Sequence, residues 1–262
     1  MPFVKRDGIQ IHYESIGSTD LPVLVLSHSL GANLGMWKPQ ISALSRHSRL
    51  LLYDMRGHGK SSVAPEAYTI ADMGRDVLYL LDRLEIEHAS FCGLSMGGTI
   101  GQWLGIHASG RIRRLVLANT AAKIGTDDGW NTRIATVLRD GMAPIVPGTL
   151  ERWFTADFRA AQPEVVKEIE IMLRSMDTNG YAASCSAIRD ADFRATASAI
   201  RLPTLLIAGT HDPATTPEDA RFLAGNIPGS QYVELPTAHL SNVEAAEPFN
   251  TAVLDFLNAD LG

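Results

Sequence analysis

The sequence predicts an α/β fold in which a mostly parallel central sheet has helices on both faces and carries an inserted helical cap. Apolar runs of four residues are too short for helices and suit buried strands; they occupy 23–26, 50–53, 115–118 and 204–207. Segments with helical periodicity separate them, and 70–84 is the clearest. Strands that alternate with helices form βαβ units, so we expect a parallel sheet.

The first half of the chain supplies these elements in turn. An opening hairpin is predicted from alternating residues on either side of the Asp7-Gly8 turn. Its strands are 3–6 and 9–13, and the elements that follow are strands 23–26 and 50–53, helix 70–84, strand 89–92, helix 96–107 and strand 115–118.

The alternation stops after Thr120. From 121 to 195 we find only helical signals, at 130–138, 150–154 and 164–176. Strands resume at 204–207 and 232–235, and helix 243–257 closes the chain. We therefore expect a core formed by 1–120 and 196–262, with residues 121–195, called the cap, inserted between two core strands.

Composition excludes several classes of protein. The 262 residues carry a formal net charge of −6, so no global basic surface favours a nucleic-acid partner. No uncharged apolar stretch approaches the roughly 18 residues that a membrane span needs, and the first ten residues do not resemble a secretory signal. Cys92 and Cys185 form no metal-binding or disulfide pattern, so we expect a cytoplasmic protein.

The strongest chemical signal is Gly93-Leu94-Ser95-Met96-Gly97-Gly98. It lies between a predicted buried strand and a predicted helix, as a nucleophile elbow requires. The small residues two before and two after the serine permit the tight turn, which holds the hydroxyl at the positive end of the helix. Ser95 is therefore the candidate nucleophile.

A serine hydroxyl needs a base, and the base needs an acid to orient it. His239 follows the last predicted strand, and Asp212 follows an earlier one. Because both follow strands of the same parallel sheet, we expect them at the same edge as Ser95, in the order Ser, Asp, His. His211 is a weaker candidate base because it is adjacent to the acid.

An oxyanion hole is expected from two backbone N–H groups. Met96 follows the nucleophile and supplies one. The loop 27–31 follows an early strand, and Leu30 is the candidate for the second. His28 and His58 have no partner at metal-ligand spacing, so we expect structural roles for both and no metal site.

With these residues in place, the sequence resembles the α/β-hydrolase family across nearly its whole length, which implies the α/β-hydrolase fold. Within that family it is similar to the 3-oxoadipate enol-lactonases. The similar segments are 28–31, 53–59, 93–98, 130–134, 151–155 and 238–244.

The resemblance implies hydrolysis of 3-oxoadipate enol-lactone to 3-oxoadipate, a step of the β-ketoadipate pathway of aromatic catabolism. It implies an acyl-enzyme on Ser95 and a small lactone or ester as the partner molecule, with no metal or organic cofactor. Such a substrate carries a carboxylate. Trp130 and Arg133 are neighbours on one helix face, so we expect Arg133 to pair with the carboxylate and Trp130 to supply an apolar wall.

Alternatives remain open at this point. Arg133 could face solvent beside a packing Trp130, and Trp153, a third candidate for substrate binding, could belong to the interior of the cap. The same triad could serve a general carboxylesterase, a cofactor-free perhydrolase or a carbon–carbon bond hydrolase. A receptor on this fold would bind a ligand and turn it over slowly. The oligomeric state is left open.

Overall fold

The computed structural model describes residues 2–6, 8–64 and 66–259, which form eight strands and eleven α-helices. The strands are β1 (Phe3–Arg6), β2 (Ile9–Ile16), β3 (Val23–Ser27), β4 (Arg49–Tyr53), β5 (Ala89–Leu94), β6 (Ile112–Ala118), β7 (Thr204–Gly209) and β8 (Gln231–Leu235). The helices are α1 (Lys38–Leu44), α2 (Ile70–Arg83), α3 (Met96–His107), α4 (Asp127–Asp140), α5 (Val146–Trp153), α6 (Ala156–Ala161), α7 (Pro163–Arg174), α8 (Thr178–Asp190), α9 (Pro217–Asn226), α10 (Ser241–Glu244) and α11 (Ala246–Asn258).

All eight strands belong to one sheet in the order β1-β2-β4-β3-β5-β6-β7-β8. Strands β1, β2 and β4 pair antiparallel, and every pairing from β4 through β8 is parallel. The central strands are apolar and almost fully buried, as a sheet covered on both faces requires. The predicted fold class is confirmed. Of the predicted Asp7-Gly8 turn, Asp7 lies outside the described residues.

Two predictions about the helices need correction. The single closing helix predicted over 243–257 is divided at Ala245 into α10 and α11. Pro248 lies in the first turn of α11, where its missing N–H costs nothing, whereas a continuous helix would place it in the interior. Between β6 and β7 the structure has five α-helices, where the sequence predicted three.

The segment between β6 and β7 contains no strand among the described residues, and its helices cover the carboxyl ends of the sheet. This segment packs closely against the rest of the chain. For example, a Cβ on Gly180 of α8 would lie 2.4 Å from the Gly57 carbonyl oxygen. Tyr68 reinforces this contact by donating its hydroxyl to the Gly180 carbonyl at 3.0 Å. The division into a core and a cap at 121–195 stays a prediction. Across the described ranges, none of the helices has the length and apolar character needed to cross a membrane.

Candidate active site

The predicted triad and the candidate oxyanion donor Leu30 follow four of five strands that are neighbours in the sheet. Strands β3, β5, β6, β7 and β8 are adjacent and parallel, so their carboxyl ends meet at one edge. Leu30 follows β3, Ser95 follows β5, Asp212 follows β7 and His239 follows β8. The topology therefore brings all four to one place, in the crevice where open α/β sheets bind ligands.

Ser95 occupies a strained turn between β5 and α3. Its backbone has φ 58° and ψ −114°, a conformation that residues with a Cβ rarely adopt. The turn is possible because neither flanking glycine has a side chain. A Cβ on Gly93 would lie 2.1 Å from the carbonyl oxygen of Gly97, and one on Gly97 would lie 2.1 Å from the carbonyl oxygen of Ser27. This turn aims Ser95 into a cavity at the strand ends.

His239 and Asp212 form a buried hydrogen-bonded pair. The Nδ1 of His239 lies 2.7 Å from Oδ2 of Asp212, and both residues are only 3 % exposed. An aspartate in this position fixes the tautomer of the ring, with the proton on Nδ1. The Nε2 atom is then left unprotonated and able to accept a proton.

The carboxylate of Asp212 is surrounded by donors. Oδ1 accepts the backbone N–H groups of Ala214 (2.8 Å) and Thr215 (3.1 Å). Oδ2 accepts the Thr215 hydroxyl (2.8 Å) and the Asn119 amide (3.0 Å). Burial pushes the pKa of Asp212 upward, but the charge of His239 and these hydrogen bonds outweigh it and lower the pKa below its ordinary value. Asp212 is therefore ionised at neutral pH.

Ser95 and His239 line the same cavity. Within the described part of the chain the Ser95 hydroxyl has no hydrogen-bond partner, whereas its carbonyl accepts the Thr120 hydroxyl at 2.9 Å. Hydrogen bonds between a nucleophile and its base are often long before substrate binds. The hydroxyl is thus free to turn towards His239 or towards a bound molecule.

The candidate oxyanion donors are the backbone N–H groups of Leu30 and Met96. Met96 is the first residue of α3, where an N–H has no acceptor inside the helix. No described residue accepts a hydrogen bond from the N–H of Leu30, which lines the same cavity as Ser95. A Cβ on Gly97 would touch the backbone at Ser27 and His28, so the two donor segments lie side by side.

Two buried histidines hold the loop that contains Leu30. Nε2 of His58 accepts the N–H of Gly31 at 3.1 Å, and Nε2 of His28 accepts the N–H of Met55 at 3.1 Å. Each ring donates its Nδ1 proton to a backbone carbonyl, at Arg56 and Ser29 respectively. Burial lowers the pKa of both, and with the charge of His28 nearby the pKa of His58 falls to about 3. The structural roles predicted for His28 and His58 match these contacts.

The cavity above Ser95 has a volume of about 350 Å³ and is lined by residues of both the sheet edge and the cap. All three predicted substrate-binding residues, Trp130, Arg133 and Trp153, line it. The Arg133 guanidinium stacks over the Trp130 ring with 5.6 Å between the carbon Cζ and the ring centroid. Trp153 is 5 % exposed, so it belongs both to the cap interior and to the cavity wall.

The structure adds residues that sequence reasoning missed. Asn119 and Thr215 donate hydrogen bonds to the carboxylate of Asp212, and Arg152 of α5 lines the cavity that contains Ser95. Asn119 follows β6, so its place at a strand end was a usable signal. The signal for Arg152 was weaker, because which face of a short cap helix points inward depends on packing. Among the described residues, no group of three His, Cys, Asp or Glu side chains could hold a metal ion.

Comparisons with known proteins identify the family. The family model described as "alpha/beta hydrolase fold" matches residues 22–246. The 3-oxoadipate enol-lactonase 2 of Acinetobacter baylyi is 42 % identical over 94 % of this chain and 92 % of the relative. The crystal structure of the enol-lactonase from Burkholderia xenovorans LB400 superposes with a TM-score of 0.97 at 45 % identity, covering 98 % of this chain and all of the other.

A more distantly related solved structure also shares the fold. An esterase from Thermogutta terrifontis superposes with a TM-score of 0.90 at 29 % identity, covering 97 % of this chain and 96 % of the esterase. The enol-lactonases and this esterase are named for hydrolysis of ester bonds, and the prediction that this protein is an ester-bond hydrolase is confirmed. The chain belongs to the α/β-hydrolase family, and within it the chain resembles the 3-oxoadipate enol-lactonases.

Proposed function

We propose that this protein hydrolyses 3-oxoadipate enol-lactone to 3-oxoadipate, as a step in the β-ketoadipate pathway of aromatic catabolism. One observation of the site supports the proposal above others. The cavity that contains Ser95 and His239 also contains Arg133, so a hydrolytic centre and a cation share about 350 Å³. A carboxylated lactone needs both.

In the proposed acylation step, the hydroxyl oxygen of Ser95 attacks the lactone carbonyl carbon while Nε2 of His239 takes the hydroxyl proton. The carbonyl oxygen becomes an oxyanion that the N–H groups of Leu30 and Met96 stabilise. Asp212 stays ionised and stabilises the imidazolium. The bond from the carbonyl carbon to the ring oxygen then breaks, the enolate receives the proton from His239, and the enol tautomerises to the ketone.

Deacylation repeats the sequence with water. His239 removes a proton from a water molecule, whose oxygen attacks the acyl carbon, and the second tetrahedral intermediate expels Ser95. His239 returns the proton to Ser95. The product leaves with a new carboxylate at the opposite end from the original one. The reaction needs no metal ion, organic cofactor or macromolecular partner. A cytoplasmic location belongs to the same proposal, and the free, buried thiols of Cys92 and Cys185 are compatible with it.

A substrate panel tests the proposal. It contains the enol-lactone, a simple γ-lactone, a nitrophenyl acetate, and acetate with hydrogen peroxide for peracid formation. We expect kcat/KM to be highest for the enol-lactone by at least about 100-fold, because only that substrate combines an enolate leaving group with a carboxylate that Arg133 can bind.

Two outcomes would replace the proposal. Higher kcat/KM for nitrophenyl esters, or for peracid formation, would assign the site to a carboxylesterase or perhydrolase, an alternative that the similarity to a known esterase favours. Turnover of a few cycles per hour on every substrate would indicate a receptor on the hydrolase fold, since enzymes of this kind complete about 1 to 1000 cycles per second.

A further inference from the structure

The cavity holds a second cation besides Arg133. Arg152, in the last turn of α5, lines it together with Arg133 of α4. The described lining contains no Asp or Glu side chain, and neither guanidinium forms an ion pair with any described residue. Several other arginines of the chain pair with acids, for example Arg56 with Asp76 at 2.6 Å and Arg139 with Asp140 at 2.6 Å.

Both side chains are held in place by neutral groups. Nη1 of Arg133 donates to the hydroxyl of Tyr181 at 3.1 Å, and Nη2 of Arg152 donates to the hydroxyl of Thr149 at 3.0 Å. A guanidinium carries five N–H donors, so each of these arginines retains donors for a further acceptor. These neutral partners fix the orientation of each guanidinium group, whose planar set of N–H donors is called the fork, without neutralising its positive charge.

The two guanidinium groups repel each other, and Glu151, which does not line the cavity, exerts a smaller opposite effect on Arg152. Burial lowers the pKa of Arg152, and the positive charge of Arg133 lowers it further. An anion in the cavity would remove this repulsion and would satisfy donors on both forks. Arginine forks match the planar geometry of a carboxylate.

We propose that Arg133 and Arg152 form one anion site in which the substrate carboxylate lies between the two guanidinium groups, so that Arg152 is a specificity-determining residue of this enzyme. The proposal rests on the proposed function only for the identity of the carboxylate. The site itself is a receptor for a carboxylate held at a fixed distance from Ser95.

The backbone of Arg152 connects this site to the base. Its carbonyl oxygen accepts the N–H of His239 at 3.3 Å, and the neighbouring carbonyl of Trp153 accepts the N–H of Leu240 at 3.0 Å. The segment that binds the carboxylate therefore also contacts the loop 236–240, called the histidine loop because it contains His239. Substitution of the Arg152 side chain leaves this backbone contact in place, so its effect should be confined to binding of charged molecules.

Kinetics of matched substrates test the site. Ring opening is measured for the enol-lactone and for the methyl ester of its side-chain carboxylate, with wild type, Arg133→Met, Arg152→Met, the double variant and the control Arg139→Met on the exposed face of α4. We expect each single variant to lower kcat/KM for the acid about 10- to 100-fold, mainly through KM, and for the methyl ester less than threefold. The double variant should lose less than the product of the two single losses, because one carboxylate contacts both arginines.

A binding measurement keeps the test independent of turnover. Calorimetric titration with adipate, at constant ionic strength, should give a Kd that rises at least tenfold in Arg133→Met and in Arg152→Met and is unchanged in Arg139→Met. Arg152→Lys keeps the charge but loses the fork, and it should recover part of the affinity. Thermal unfolding of each variant, without ligand, verifies that the protein remains folded at the assay temperature.

The outcomes separate the two proposals. If the lactone is turned over but Arg152→Met behaves like Arg139→Met on acid and ester alike, the anion site is wrong and the proposed function stands. If no lactone is turned over but adipate binding needs both arginines, the proposed function is wrong and the anion site stands. Equal losses on the acid and the methyl ester would also contradict the site.

Discussion

The buried side chain of Asn119 positions residues of the candidate catalytic triad. Asn119 follows β6, and its Nδ2 donates to Oδ2 of Asp212 and to the carbonyl of Ala238 at 3.2 Å. Its Oδ1 accepts the hydroxyl of Ser241. The side chain thus connects the acid, the residue before His239 and the start of α10. Its φ of 43° lies in the left-handed region that asparagine tolerates better than most residues do.

We expect Asn119→Gly to lower kcat about tenfold with little change in KM. Glycine adopts the positive φ without strain, so the substitution removes the hydrogen bonds and little else from the backbone. Steady-state kinetics on the lactone and on a neutral ester check it, with Asn226→Ala at the exposed end of α9 as the control. Full kcat in Asn119→Gly would show that the acid does not need this donor.

Gly97, two residues after the nucleophile, permits a second test by a single substitution. A Cβ on Gly97 would lie 2.1 Å from the carbonyl oxygen of Ser27, which is backbone and cannot turn away. An alanine here would force a shift of loop 27–31, called the oxyanion loop because it contains Leu30. We therefore expect Gly97→Ala to lower Tm and to reduce activity by at least about 100-fold.

Gly225→Ala is the matched control for this substitution. Gly225 lies in α9 with no atom within 4 Å of an added Cβ, so alanine should stabilise the helix by about 0.5–1 kcal/mol. Thermal unfolding and lactone assays measure both variants. Wild-type Tm and activity in Gly97→Ala would contradict the close approach of the elbow and the oxyanion loop.

At the scale of elements, Glu244 joins the cap to the histidine loop. Its Oε2 accepts the N–H of Ala238 at 2.9 Å, and its Oε1 accepts both the N–H of Thr155 at 3.2 Å and the Thr155 hydroxyl. Together with the backbone bonds from His239 and Leu240 to the end of α5, this carboxylate makes the cap segment and the loop one hydrogen-bonded unit.

We expect Glu244→Ala to lower kcat about tenfold on charged and neutral substrates alike and to lower Tm by several degrees, because both the loop and the cap lose an acceptor. Equal effects on the two substrates would distinguish this positioning role from the charge-selective role of Arg152. Glu247→Ala, one turn further on and exposed, is the control. A loss confined to the carboxylated substrate would contradict the role given to Glu244.

Elements of the core could be predicted from the sequence, whereas the cap could be predicted only in outline. Buried strands such as β5 and β7 are continuous apolar runs, and the motif around Ser95 is local. Helix α8 is rich in alanine and serine and lacks a clear apolar stripe, so it shows no periodic signal in the sequence. Arg152 could not be assigned for a different reason: its helix is predicted, but only the packing of α5 on the histidine loop turns this residue towards the cavity.

At the scale of the whole molecule, the buried histidines connect stability to pH. The folded protein keeps His58 neutral with a pKa of about 3, and it also lowers the pKa of His28, whereas an unfolded chain protonates histidine near pH 6.5. Between the folded-state pKa of His58, about 3, and the unfolded-state pKa, about 6.5, the unfolded chain binds more protons than the folded protein does. Lower pH therefore favours unfolding.

We expect the free energy of unfolding to fall as pH decreases from about 6.5 towards 4, by about 1.4 kcal/mol per pH unit for the proton that His58 does not take up in the folded state. Denaturant unfolding at half-unit pH intervals measures the slope. His58→Gln should be less stable at pH 7, yet its slope should be shallower by about one proton. A slope that His58→Gln leaves unchanged would contradict the role of this histidine.

The proposed mechanism begins with attack of Ser95 on the enol-lactone. It is tested most directly by the initial rate of ring opening of that lactone by the wild type and by Ser95→Ala, with Tm and adipate affinity measured to show that the variant is folded. We predict many turnovers per second for the wild type and a loss of at least about 1000-fold in Ser95→Ala with unchanged adipate binding. Lactone hydrolysis at the wild-type rate by folded Ser95→Ala would contradict the mechanism.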